Sequence, residues 1–245
     1  MQEQFIFGIH PVLEALAEAK EIDKILIMKG LKNDNLHIIL RESKKAGLFV
    51  QFVPIEKLNR ITRKNHQGVI ALTSNVEYQN IENILPMIYD KGETPFIIIL
   101  DRITDVRNMG AIARTAECTG VHAILIPAQN SAQINGDAVK ASAGAILRMP
   151  IAKSLNLKND INLLKNSGLQ IIAVTEKAEI SYTAQNYTLP TAIIMGSEED
   201  GISEEYLKLC DHKAKIPMVG EIASLNVSVA SGVVLYEALN QKLKA

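Results

Sequence analysis

The apolar positions of this 245-residue chain follow two regimes. From residue 95 onward, short uninterrupted runs, "FIIIL", "AILIP", "QIIAVT" and "TAIIM", alternate with helical periodicity near 109–119, 135–145, 158–167, 203–210 and 225–241. A strand that is apolar at every position is buried on both faces, so strands of this kind between helices predict a parallel sheet covered on both sides. Ligands of such sheets bind at the carboxyl ends of the strands. That singles out the loops after Leu100, Pro127, Thr175 and Met195, with a further short strand at "AKIPM". Upstream, "GIHPVLEALAEA" reads as a helix, "KILIM" as a strand, "NLHIILRESKKAG" as a helix, and "LFVQFV" and "GVIALT" as strands. The expected organisation is a small α/β domain over 1–73, a linker over 74–94 that carries one short amphipathic helix and leads into the second unit, and a parallel-sheet α/β domain over 95–245.

Composition changes this picture little. With 47% hydrophobic and 22% charged residues the chain can bury an ordinary core. Its apolar runs are far shorter than the roughly 20 residues a membrane span requires, and the N-terminus lacks the pattern of an export signal. Cys118 and Cys210 have no metal-binding or disulfide spacing, so no metal and a reducing cytoplasm are expected. The net charge of −1 argues against a general nucleic-acid binder, but the charge is unevenly spread. Residues 1–73 hold 11 Lys or Arg against 8 Asp or Glu, and the remainder 15 against 19. Lys57, Arg60, Arg63, Lys64 and His66 cluster in "KLNRITRKNHQG", a candidate phosphate footprint with a solvated helix face as its alternative.

Three later stretches carry candidate chemistry. In "DRITDVRNMGAIARTAE" a helix starting near Met109 would take Asn108 as its cap, and Gly110 would admit close approach of a backbone or a ligand. Helical side chains lean toward the N-terminus, so Arg114 would point back toward Asn108 and make an anion site; pairing with Asp101 or Asp105 is the structural alternative. The loop "GSEEDGIS" has the outline of a phosphate-binding loop but puts Ile202 where Lys is needed, and Glu198, Glu199 and Asp200 would repel phosphate. Those acids suit a cationic ligand or one rich in hydroxyl and amino donors. Ser203 would cap the following helix. In "KIPMVGEIASLNVSVASGVVLYEALN" Ser224 reads as an N-cap, while Asn226 in the first turn suggests a specific hydrogen bond.

Taken in order, "NMGAIARTAECTGVHAILIP", "IIMGSEEDGIS" and "IPMVGEIASLNVSVASGVVLYEAL" resemble the three motifs of the SpoU, or TrmH, RNA 2′-O-ribose methyltransferases of the SPOUT superfamily. "FGIHPVLEAL", "HQGVIAL" and "SAQINGDAVKASAGAILRMP" are similar to the subgroup that methylates a guanosine in bacterial 23S rRNA. The resemblance implies a SPOUT domain with a trefoil knot, S-adenosylmethionine as cofactor, and a homodimer with each active site at its interface. It also implies a cofactor pocket at Met195, Gly196, Gly201, Ile216, Met218, Ser224 and Leu225. Arg114, Asn108, Glu198, Ser224 and Asn226 fall on the family's active-site positions. A tRNA methyltransferase and a non-catalytic ribosome-assembly factor are the alternatives.

Overall fold

The computed structural model describes residues 5–18, 20–222 and 224–245, in two compact units. The first is formed by β1 (Phe5–Phe7), α1 (Ile9–Ala17), β2 (Ile22–Met28), α2 (Leu36–Lys45), β3 (Phe49–Val53), α3 (Ile55–Ile61) and β4 (Val69–Thr73). Its sheet runs β1-β4-β2-β3, with β2 parallel to β3 and antiparallel to β4. On one face Ile25 and Ile27 pack with Val12 and Ala15 of α1 and Ile39 of α2. On the other, Leu26 and Ile70 pack with Leu58 of α3. This second core explains why β2 is apolar without alternation, and why "IEKLNRI" is a helix that the strand pattern around it obscured.

The basic cluster divides in this unit. Lys57 and Arg60 are exposed on α3, and Arg63 and Lys64 are exposed in the loop that follows. His66 is not part of a phosphate footprint: it is buried, its Nε2 is 2.9 Å from Asn59 Oδ1, and its Nδ1 accepts from the Gly68 amide at 3.0 Å. With Nδ1 accepting a backbone N–H, Nε2 is the nitrogen placed to donate to the Asn59 amide oxygen. The adjacent Gln67, itself at φ 52, accepts from the Ile9 amide at 3.0 Å and so caps α1 from 58 residues away. "HQG" is therefore an internal clasp.

The second unit contains β5 (Tyr78–Gln79), α4 (Ile81–Asp90), β6 (Phe96–Leu100), α5 (Val106–Cys118), β7 (Ala123–Pro127), α6 (Gly136–Ala141), β8 (Ile151–Ser154), α7 (Leu157–Asn166), β9 (Gln170–Val174), β10 (Thr191–Met195), α8 (Glu204–Leu207), β11 (His212–Ala214) and α9 (Val227–Lys242). The order is β11-β9-β10-β6-β7-β8-β5, and every pairing is parallel. All five residues of β6 are fully buried, as its unbroken apolar run required. Among the described residues, no helix is long and apolar enough to cross a membrane.

Several expectations need correction. The segment from Tyr78 is not linker: β5 pairs with β8, and Ile81, Ile84, Leu85 and Ile88 of α4 join the core of the second unit. A two-residue edge strand leaves little apolar signal, although the i, i+3, i+4, i+7 spacing of α4 was readable. The helix expected over 203–210 is one turn, the strand expected at "AKIPM" lies earlier, β11 ending at Ala214, and β8 was too short and mixed to detect. The first helix after β6 begins at Val106, three residues early, because Asp105 rather than Asn108 caps it by accepting from the amides of Arg107 and Asn108. Gly110 serves close backbone packing, since a Cβ there would stand 2.5 Å from Ala141 Cβ and 2.8 Å from the Ala138 carbonyl oxygen of α6.

Two predictions follow from these arrangements. Replacing His66 with Ala leaves the Gly68 amide without its acceptor, and the loss should be about 1–3 kcal/mol, read as a lower urea midpoint and faster hydrogen exchange in β4. Lys242 sits 3.7 Å over the Phe96 ring, and burial lowers its amine from 10.5 to about 8. Between those values the unfolded chain holds a proton that the folded chain does not, so stability rises with pH across that window. Lys242→Met should remove this rise and raise the urea midpoint at pH 7.

Candidate active site

The adjacent strands β6 and β10 are in register, with Met195 beside Leu100 and the Asp101 amide donating to the Met195 carbonyl at 2.8 Å. Chain order runs outward from this pair in opposite directions, β7 and β8 on one side and β9 on the other. Such a switch point opens a crevice at the carboxyl ends of the strands. The Asp101 carboxylate is buried there and accepts from Arg102 Nε at 3.1 Å, from Arg102 Nη2 at 3.2 Å and from the Ser203 amide at 2.8 Å. Arg102 continues to Asp200 at 3.1 Å and to the Gly201 carbonyl at 3.0 Å. The hydrogen bonds to Asp101 raise the guanidinium's pKa further, so it stays charged. Arg102 holds φ 59, an uncommon conformation for a non-glycine residue, which these bonds support.

This hub fixes the loop after β10. Ser197 and Gly201 pair through both backbone amides, at 3.1 and 3.0 Å, and fold the loop back on Gly196. A Cβ on Gly196 would lie 2.1 Å from the Gly201 carbonyl carbon and 2.2 Å from the Ile202 nitrogen, so only glycine fits. Ser203 precedes α8 but its side chain makes no capping bond; its amide serves Asp101 instead.

From this loop the Glu198 carboxylate meets two asparagines. Its Oε1 accepts from Asn108 Nδ2 at 3.0 Å and from Asn226 Nδ2 at 2.7 Å, and Asn226 Nδ2 also donates to Asn108 Oδ1 at 3.0 Å. Asn226, not Ser224, is the N-cap of α9: its Oδ1 accepts from the Ser228 amide at 2.9 Å, which turns its Nδ2 toward Glu198. Asn108 is free for this role because Asp105 takes the capping duty, its carboxyl held below the usual range by the Arg107 guanidinium.

Two clefts flank Glu198; Asn108 lines the smaller of them, and Asn226 lines neither. One, of about 460 Å³, is lined by all seven residues expected at the cofactor pocket, from Met195 to Leu225, with Thr175 to Lys177 as a further wall that the sequence had marked only as the loop after β9. The other, of about 280 Å³, is lined by Asn108, Asp105, Arg102 and Asn130. Ser197, Glu198, Glu199, Asp200 and Val227 belong to both. Ser224 faces the larger cleft only.

Arg114 stands apart. It is exposed on α5, lines neither cleft, and has no hydrogen bond or ion pair among the described residues. Six residues from Asn108 is about 9 Å along a helix axis and about 240° around it, so the expected return toward Asn108 does not occur. The structural bridge fails too, because Asp101 is held by Arg102 and Asp105 by Arg107. Arg102 was missed by the sequence reading: nothing local distinguishes a charged loop residue that links two strands 95 positions apart.

An α/β unit with a glycine-backed, acid-rimmed cleft at its switch point is a ligand-binding and group-transfer architecture, and comparison with known proteins narrows it. Residues 95–236 match the model of the SpoU rRNA Methylase family, and residues 5–79 match that of RNA 2′-O ribose methyltransferase substrate binding. A TrmH family tRNA/rRNA methyltransferase of Staphylococcus epidermidis is 37% identical over 242 residues, covering 99% of this chain and 97% of the relative. Its counterpart in Bacillus subtilis is 31% identical over 241 residues, with 98% and 97% covered. The solved structure of an AdoMet-bound rRNA methyltransferase from Sinorhizobium meliloti aligns with a TM-score of 0.62 at 26% identity, over 96% of this chain and 86% of its own. The chain belongs to the SpoU family of RNA 2′-O-ribose methyltransferases.

Gly196→Ala tests the cleft wall. The added methyl has backbone on its open side and no flexible side chain to displace, so overpacking should cost at least about 1–3 kcal/mol, read in thermal melts of the full chain.

Proposed function

We propose that this protein transfers a methyl group from S-adenosylmethionine to a ribose 2′-hydroxyl of RNA, most specifically a guanosine of 23S rRNA. The observation that carries the reading is Glu198, shared by a large and a small cleft and hydrogen-bonded to both Asn108 and Asn226. The larger cleft fits S-adenosylmethionine: its acids complement a sulfonium, an ammonium and a ribose diol, and Gly196 keeps its wall thin. When bound there, the cofactor supplies an electrophilic methyl group. The smaller cleft takes the acceptor ribose. Asn108 and Asn226 hold the hydroxyl and the donor face to face, and positioning of this kind lowers a barrier by several kcal/mol. Glu198 orients both amides rather than acting on substrate alone, and Ser224 borders the donor.

Arg114 binds the RNA phosphate beside the acceptor and stabilises the developing alkoxide. A guanidinium with a pKa of about 12.5–13.8 is a poor proton acceptor. Because Arg114 lies outside both clefts of its own chain, the reading includes a homodimer in which a second copy completes the site. Support comes from apolar side chains left exposed on and before α9: Leu225, Val229 and Tyr236. The C-terminal trefoil knot belongs to the same reading. In the first unit Lys57, Arg60, Arg63 and Lys64 capture RNA by phosphate contacts. The intact trio argues against a non-catalytic assembly factor, and the acidic loop argues against a triphosphatase.

The test uses labelled S-adenosylmethionine with bulk rRNA and bulk tRNA. Label at a ribose in rRNA is expected; label in tRNA alone overturns the 23S assignment. Arg114→Ala should lose turnover by a factor of about 10² or more while S-adenosylmethionine binding is retained, and unchanged turnover would remove Arg114 from the site.

A further inference from the structure

A third cleft, of about 510 Å³, opens beyond Arg102 at the ends of β6, β7 and β8. It shares Arg102 and Asn130 with the small cleft, so the three clefts form one row along the carboxyl edge of the sheet: donor, acceptor, and a third compartment on the far side of the acceptor. The proposed methyl transfer needs only the first two.

The lining of the third compartment is mostly uncharged: its acids are Asp101, engaged by Arg102 and the Ser203 amide, and Glu205, beside Tyr206. Gln129 and Asn130 present exposed side-chain amides that make no hydrogen bond among the described residues. Asn156 commits its Oδ1 to the Asn159 amide as the cap of α7, which leaves its Nδ2 available. Amide groups supply the paired donor and acceptor that a base edge requires. Lys158 lies in the first turn of α7, exposed and without a partner among the described residues. A cation there opposes the helix dipole, so it does not serve helix stability; an anion brought to that end would be favoured by both. Tyr206 forms part of the wall and Leu155 leaves 66% of its surface exposed beside it, apolar area against which a base or sugar can lie. The volume falls within the range of pockets that hold one small ligand, about 300–1,000 Å³.

We propose that this cleft is a subsite for the nucleotide adjoining the one that is methylated, with its base read by Gln129, Asn130 and Asn156 and its phosphate held by Lys158. The subsite rests on the ribose-methyltransfer reading, and gives that reaction a sequence preference outside the reacting nucleotide.

The test compares methylation of bulk rRNA and bulk tRNA by the full-length wild type, Gln129→Ala, Lys158→Ala and Lys91→Ala. The first two side chains are exposed, so their removal leaves the fold intact; Lys91 is an exposed control at the opposite, amino edge of the sheet. The apparent KM for RNA should rise about tenfold or more in Gln129→Ala and in Lys158→Ala. Their kcat and S-adenosylmethionine Kd should stay within about twofold, and Lys91→Ala should match the wild type. Unchanged KM in both cleft variants, with label transferred by the wild type, overturns the subsite alone. An equal rise in Lys91→Ala reduces the effect to general charge attraction and also overturns it. No label from the wild type on either RNA overturns the methyltransfer reading, and the subsite with it.

Discussion

The Asp101 carboxylate is the point on which the site depends. A charge buried at the end of a parallel strand is costly unless its oxygens are all engaged. Here a two-pronged guanidinium and the Ser203 amide engage them. Because Arg102 also reaches Asp200 and the Gly201 carbonyl, satisfying that one carboxylate locks the loop after β6 to the loop after β10. Glu198 inherits its position from this lock, and the wall shared by the larger and smaller clefts is the same loop.

Helix caps do the rest of the positioning. Asp105 caps α5 and so releases the Asn108 side chain, while Asn226 caps α9 with its oxygen and by that bond aims its nitrogen at Glu198. One cap frees an amide for Glu198 and the other orients one toward it. Both depend on backbone amides at helix starts, which are fixed to within fractions of an ångström by the helices behind them, and sites held by such elements are more exact than sites on loops.

The charge arrangement also has a logic. RNA is an anion, yet the loop at the centre of the site carries Glu198, Glu199 and Asp200. Acids at that place disfavour phosphate in the two clefts they line and suit hydroxyl and cationic groups. The cations stand at a distance: Arg102 neutralised by Asp101, Arg114 free on α5, Lys158 at α7, and the α3 pair in the first unit. Under the proposed function, backbone attraction and reacting-group selection fall to different residues.

Much of the architecture was determined by the sequence itself. Runs such as "FIIIL" and "TAIIM" can only be buried on both faces, so the parallel sheet, its covering helices and the importance of the loops after Leu100 and Met195 followed from periodicity. The family motifs placed the donor-cleft residues, and all seven line one cavity. Short elements were not legible: β5 and β8 carry too few apolar residues, and that is why residues 78–94 read as linker. Nor were the roles of single side chains. Whether Asn108 caps a helix or faces Glu198, whether His66 meets solvent or a backbone amide, and whether Arg114 returns to its own helix start depend on which partners lie nearby in space. Those partners are 90, 118 or 28 positions apart along the chain in the Asn108–Glu198–Asn226 trio, and no local pattern encodes them. Only the packing of the sheet at its switch point brings them within hydrogen-bond reach.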